Sequence, residues 1–192
     1  AEVIAAVCEA KEGNYIVYFP SYEYMSGVVK AFRELSPDTE CAVQSRSMSY
    51  GERNAFLEKF SKRDGTLVGF CVLGGAFAEG VDLKGEKLIG TIIVGTGLPK
   101  MCSELNILSE YFEKTRENGR DYAYTYPAMI KVEQAAGRVI RSETDRGVVV
   151  LVDDRYAEPA TYRLFPKNWR HIKYTVDPYS LNTALYSFWG EK

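Results

Sequence analysis

The run Val132-Glu133-Gln134-Ala135-Ala136-Gly137-Arg138-Val139-Ile140-Arg141, followed across the turn Asp145-Arg146-Gly147 by Val148-Val149-Val150-Leu151-Val152, decides the architecture. At about 100° per residue, Gln134, Arg138 and Arg141 fall in one narrow sector of a helix. Met129, Val132, Ala136, Val139 and Ile140 cluster on the opposite side. One face can therefore bury against a sheet while an amide and two guanidinium groups point outward together. An ordinary amphipathic helix with two solvated arginines has the same apolar stripe but needs no such alignment. A glycine in mid-helix costs roughly 1 kcal/mol against alanine, so Gly137 points to close approach of a ligand or another backbone. Two planar, permanently charged forks beside an amide suit a phosphate. The run 148–152 is continuous, apolar and β-branched, the pattern of a strand buried on both faces.

The same alternation extends in both directions. Residues 1–12 read as a short helix broken at Gly13-Asn14, and Tyr15–Phe19 as a buried strand ended by Pro20. Ser21 is a helix cap for a segment reaching Leu35. Strands follow at 41–44, 66–72 and 87–94, with helices at 52–62 and 103–117. Asp121 is read as the cap of the long helix that carries the opening run to about Ser142. Strands alternating with helices predict an α/β fold, a parallel sheet with helices on both faces. In such folds sites form outside the carboxyl ends of strands. Ser21, the glycine-rich segment Gly74–Asp82, Leu98-Pro99 and Asp153–Arg155 all lie at such ends, so the chemistry is expected to converge on one edge. The tail after 156 is less regular and rich in aromatic and basic residues, including Trp169, Arg170 and Lys173; core packing of its aromatics is the preferred reading.

With 192 residues, 46% hydrophobic and 26% charged, the chain fits one globular domain. A net charge of −2 excludes a globally basic nucleic-acid binder, so any such contact is a local patch. No apolar run approaches the ~20 residues needed to span a bilayer, and Glu2, Glu9 and Lys11 interrupt anything like a signal peptide. Cys8, Cys41, Cys71 and Cys102 are widely spaced with no CxxC pair, so no metal site is signalled. Buried thiols in a reducing cytoplasm are expected, with nucleoid association if the source is bacterial. The start Ala1-Glu2-Val3 reads as that of an excised piece of a larger protein.

Several motifs agree in order and spacing with one family. Gln134-Ala135-Ala136-Gly137-Arg138-Val139-Ile140-Arg141 resembles the QxxGRxxR motif VI of superfamily-two helicases. Tyr18–Met25 resembles motif IV in its XPD/DinG-like form, and Gly74–Leu83, with Glu79-Gly80-Val81-Asp82, resembles motif V. Leu98-Pro99 and Asp153–Arg155 match the segments after the next strands. Over roughly residues 13–156, the chain resembles the C-terminal helicase lobe of an XPD/DinG-like DNA helicase.

The resemblance implies a RecA-like fold of the P-loop NTPase type: a single domain over 1–192, with a core at about 13–156 and an extension at 157–192 packing on it. It implies the second motor lobe of an ATP-dependent helicase. No GxxxxGK[ST] loop or DEAH-type sequence is present; those belong to a first lobe of the same polypeptide, which would hold ATP and Mg²⁺ jointly with this one. An iron–sulfur cluster, if any, would belong there too. Arg141 would be the arginine finger, Arg138 a second phosphate or coupling arginine, and Gln134 would orient water or bridge the lobes. Glu79, Asp82 and Gly137 would face the nucleotide. Gly80, Ser21 and Tyr22 would face single-stranded DNA, although Ser21 is equally explained as a cap. The rival readings are a non-catalytic nucleic-acid-binding module with this fold, and the equivalent lobe of an RNA helicase.

Overall fold

The computed structural model describes residues 1–61, 65–77, 83, 87–140, 144–169 and 171–190. Five strands, β1 (Asn14–Phe19), β2 (Glu40–Val43), β3 (Leu67–Val72), β4 (Gly90–Val94) and β5 (Val148–Val152), form one sheet in the order β2-β3-β1-β4-β5. Every neighbouring pair is parallel. The helices are α1 (Glu2–Ala10), α2 (Tyr22–Leu35), α3 (Tyr50–Lys59), α4 (Ser103–Arg116), α5 (Tyr126–Ala136), α6 (Pro159–Tyr162) and α7 (Pro178–Trp189).

Central β1 is buried along its whole length because both faces of the sheet are covered. Ile16 and Tyr18 pack with Phe56 of α3 and with Met129, Val132 and Ala135 of α5. Tyr15, Val17 and Phe19 face the other way, against Ile4 and Val7 of α1, Met25, Val29 and Phe32 of α2, and Leu185 of α7. This period-two division is what a pleated strand with two apolar sides requires. The chain leaves β1 towards the α2 face and leaves β4 towards the α5 face. In parallel sheets such a divergence marks the carboxyl ends, here of β1 and β4, where sites form.

Local signals set the helix starts. Ser21 accepts the Tyr24 N–H at 3.2 Å. Ser49 and Glu52 form a reciprocal capping box, with the Ser49 N–H donating to Glu52 Oε2 at 2.7 Å.

Two expectations change. The long helix over 121–142 is broken. Asp121–Thr125 forms a π-helical turn in which Asp121 makes no side-chain cap. Pro127 then stands in the first turn of α5, where its lacking N–H leaves the regular ladder interrupted behind it. α5 ends at Ala136. The N–H groups of Arg138 and Val139 bond the carbonyls of Ala135 and Ala136, three residues back, at 3.3 and 3.2 Å. Such bonds tighten the last turn and release the chain.

The tail is also more regular than its composition suggests. Asp177 caps α7 by accepting the Ser180 N–H at 2.7 Å, Pro178 opens it, and Gly190 closes it at φ +79°. α7 lies on α1, where the Asn182 amide donates to the Ala6 carbonyl at 3.0 Å and the Tyr186 hydroxyl to Glu9 at 3.1 Å. Trp169 is partly buried against the core beside Phe165, 5.4 Å between ring centroids. Lys173 is exposed, and Arg170 lies outside the described residues. Cys71 is fully buried, and burial pushes the Cys8 thiol up to about 12, so both behave as packing groups.

Candidate functional site

The strand exits are built first. At the end of β1, Ser21 is exposed and occupied as the α2 cap. Tyr22 follows, half-buried, its hydroxyl donating to the Ser45 carbonyl at 3.4 Å and accepting from the Gln44 amide at 3.0 Å. At the end of β3, Gly74 takes φ +74°, which favours glycine. The buried Tyr18 hydroxyl donates to the Phe77 carbonyl at 3.0 Å, and Phe77 stacks on Phe56 at 4.2 Å. The entry to the glycine-rich segment is therefore anchored as far as Phe77. Glu79, Gly80 and Asp82 lie outside the described residues.

α5 crosses these exits. A Cβ placed on Gly74 would sit 3.5 Å from the Lys131 side chain, and one on Gly97 would sit 3.4 Å from the Ala128 carbonyl. The amino-terminal half of α5 thus lies over the loops leaving β3 and β4. Lys131 was missed in the sequence, though its position three residues before Gln134 puts it on the same helical face.

The helix then runs back antiparallel to the strands, as a crossover helix must to reach the start of the next parallel strand. Gln134 and Gly137 are exposed, Arg138 is half-buried and Val139 is buried at 2%. Val139 sits against Gly147, which precedes β5 and lies beside the Ile89 carbonyl at the start of β4. The expected convergence on one edge holds for Ser21, Gly74, Leu98-Pro99 and Asp153–Arg155, which all follow strand ends, but the helix that carries Gln134 runs away from that edge. Ser21, Tyr22 and Gly74 lie at the carboxyl ends of the strands, while Arg138 lies at the opposite pole, separated by the height of the sheet. Nor do Gln134 and Arg138 share one continuous helix, since α5 stops between them. Arg141 lies outside the described residues. Gly137 caps α5 in the right-handed region any residue adopts, φ −65° and ψ −2°, and a Cβ there would meet only carbonyls of that helix, at 3.3 and 3.8 Å. No other described backbone approaches it.

At the end of β5, Arg155 grips Asp153 through Nε and a terminal nitrogen, both at 2.7 Å. The buried Tyr156 hydroxyl donates to the Gly95 carbonyl at 2.8 Å, tying this turn to the β4 exit. The pair is thus a structural brace, with the guanidinium already engaged. Hydrogen bonding from Arg155 holds the Asp153 carboxyl below its ordinary value of 3.8, against the opposing effect of burial. A depressed folded-state pKa stabilises the fold above the unfolded value, and that stabilisation is lost as pH falls through the folded value. Solvent screening keeps such a pair to about 1 kcal/mol or less. Asp153→Asn is therefore expected to lower the melting temperature by roughly 2–4 °C at pH 7. The difference should close in acid, as melting curves at pH 7 and below 3.8 would show.

A cavity of about 600 Å³ lies at the amino ends of the strands, lined by Gly13, Asn14, Ile89, Thr144, Arg146 and Trp189 among others. Arg146 donates to the Phe188 carbonyl and lies over the Phe188 and Trp189 rings, at 4.8 and 5.4 Å. The cavity is a seam between α7 and the strand starts, and its lining includes neither Gln134 nor Arg138. Among the described residues no group of three His, Cys, Asp or Glu could hold a metal, and no helix is long and apolar enough to cross a membrane.

Known proteins share the sequence pattern and the fold of this chain. The family model described as "Helicase C-terminal domain" matches residues 4–172. The "ATP-dependent DNA helicase YoaA" of Haemophilus influenzae is 31% identical over 157 residues, 80% of this chain and 23% of the relative. The "ATP-dependent DNA helicase chl-1" of Caenorhabditis elegans is 28% identical over 170 residues, 85% of this chain and 20% of the relative. The chain thus spans about a fifth to a quarter of these relatives' length. A solved structure named "XPD_Helicase" aligns over 84% of this chain and 28% of its own, with a TM-score of 0.67 and 25% identity. The C-terminal domain of the DEAD-box protein Dbp5, 14% identical with a TM-score of 0.53 over 97% of this chain and 90% of its own, shares the fold.

Proposed function

Because the chain belongs to the helicase C-terminal domain family, we propose that it is the second motor lobe of an ATP-dependent DNA helicase that moves on single-stranded DNA. The observation that carries this reading is the placement of α5. One end of the helix lies over the Gly74 and Gly97 loops, and the other carries Gln134 and leads into Arg138 at the far pole. A single helix spanning both poles is suited to couple a nucleotide at one to a strand at the other.

The donors described at the Arg138 pole are the exposed Gln134 amide and the half-buried Arg138 guanidinium, a set that fits a polyphosphate anion rather than a bare cation. ATP with Mg²⁺, held mainly by a first lobe, supplies the transferable phosphoryl group. In this reading Arg141 and Arg138 stabilise charge on the phosphate oxygens, Gln134 orients water, and Gly137 leaves room beside them. Glu79 and Asp82 face the nucleotide side, whereas Gly80, Ser21 and Tyr22 face the DNA backbone.

In the intact protein, single-stranded DNA is expected to stimulate ATP hydrolysis, and the 192-residue chain alone is expected to hydrolyse none. Hydrolysis by the chain alone, or an intact enzyme stimulated by RNA and not by DNA, would overturn the reading.

A further inference from the structure

We propose that Arg46 is a contact for a backbone phosphate of the bound single strand, restrained by Tyr22 and aligned through the buried amide of Gln44. This rests on reading the chain as a helicase lobe, and it adds two residues that the motifs do not contain. Arg46 is exposed just beyond β2, and its guanidinium carbon lies 5.0 Å from the centroid of the Tyr22 ring. Among the described residues no carboxylate pairs with it. An unpaired guanidinium restrained over a ring has lost part of its rotamer freedom beforehand, so gripping an anion costs less entropy.

What holds the ring is Gln44, 4% exposed. Its backbone N–H donates to the Phe70 carbonyl at 2.9 Å. Its side-chain oxygen accepts the Val72 N–H at 2.9 Å, and its side-chain nitrogen donates to the Tyr22 hydroxyl at 3.0 Å. One satisfied buried amide therefore ties together the exits of β1, β2 and β3. It also limits Gly75, where a Cβ would fall 2.9 Å from the Gln44 nitrogen and 2.9 Å from the Val72 carbonyl oxygen. Tyr22, Arg46 and the entry to the glycine-rich segment are thus held in one register. Arg46 is a binding residue in this scheme and Gln44 a positioning residue.

The test is the ATP hydrolysis of the intact protein, titrated with oligo-dT at several salt concentrations. Arg46→Gln is expected to raise the half-saturating DNA concentration about five-fold and to reduce the log–log salt slope by about 1. Tyr22→Phe keeps the ring and removes only the hydroxyl held by Gln44. It is expected to raise half-saturation while leaving the salt slope at the parent value, because no cationic contact is deleted. A purely structural role for Gln44 and Tyr22 would alter the melting temperature without this split. Arg46→Gln with parental half-saturation and slope would overturn the inference. A parent enzyme that oligo-dT does not stimulate would instead overturn the functional reading beneath it.

Discussion

Replacing Arg141 with alanine in the intact protein is expected to lower ATP hydrolysis by about 10³-fold or more while leaving affinity for single-stranded DNA close to that of the parent. Phosphoryl transfer spreads negative charge over the equatorial oxygens, and a guanidinium positioned there acts where little water competes. A loss of 10³ corresponds to roughly 4 kcal/mol of transition-state stabilisation. Val139 is buried at 2% and pins the chain against the start of β5, and the next residue, Ile140, is 46% exposed. Arg138 is half-buried, so its replacement would mix catalysis with stability. DNA affinity should survive because, in this reading, the strand is held at the Ser21, Tyr22 and Gly74 edge, which lies across the sheet from Arg138. Single-turnover hydrolysis and equilibrium DNA binding of the same preparation give the two numbers, and turnover within a few-fold of the parent would refute the assignment.

Gly147→Ala should produce the second large effect, on stability. A Cβ there would overlap the Val139 side chain and fall 2.7 Å from the Ile89 carbonyl oxygen. Valine is stiff, and a backbone oxygen at a strand start cannot swing aside, so the strain cannot be absorbed by a rotamer change. Overpacking of this kind costs about 1–3 kcal/mol, and each kcal/mol lowers the melting temperature of a chain this size by roughly 2–4 °C. Because Val139 fixes the segment leading to Arg141, hydrolysis should fall at temperatures where the variant is still folded. Gly27→Ala is the matched control. Gly27 lies inside α2 with no atom within 4 Å of its would-be Cβ, so alanine there should stabilise by roughly 0.5–1 kcal/mol. Thermal melts of the two variants should therefore move in opposite directions.

The strand pattern was readable because both faces of this sheet are covered. Continuous apolar runs such as Tyr15–Phe19 and Val148–Val152 have few other uses, and each became a strand within a residue of its expected bounds. The Ser21 cap was equally local, needing only a hydroxyl and the N–H groups of the next turn. The break at Pro127 and the capped helix Asp177–Gly190 were also local signals, but they were outweighed by the helical periodicity of residues 121–142 and by the mixed composition of the tail.

The strands, most of the core helices, the α/β class and the family followed from the sequence alone, since periodicity, caps and motif spacing are properties of neighbours along the chain. Three matters were decided only by tertiary structure. The strand order β2-β3-β1-β4-β5 depends on which edges find partners. The separation of the Tyr22–Gly74 edge from the Arg138 pole depends on α5 running back along the sheet. The network of Gln44 with Tyr22 and Val72 joins residues 22 and 28 positions apart in sequence. A periodic pattern records which side of an element is buried. It carries no record of which distant side chain meets it there, because that choice is made only when the whole sheet closes its core.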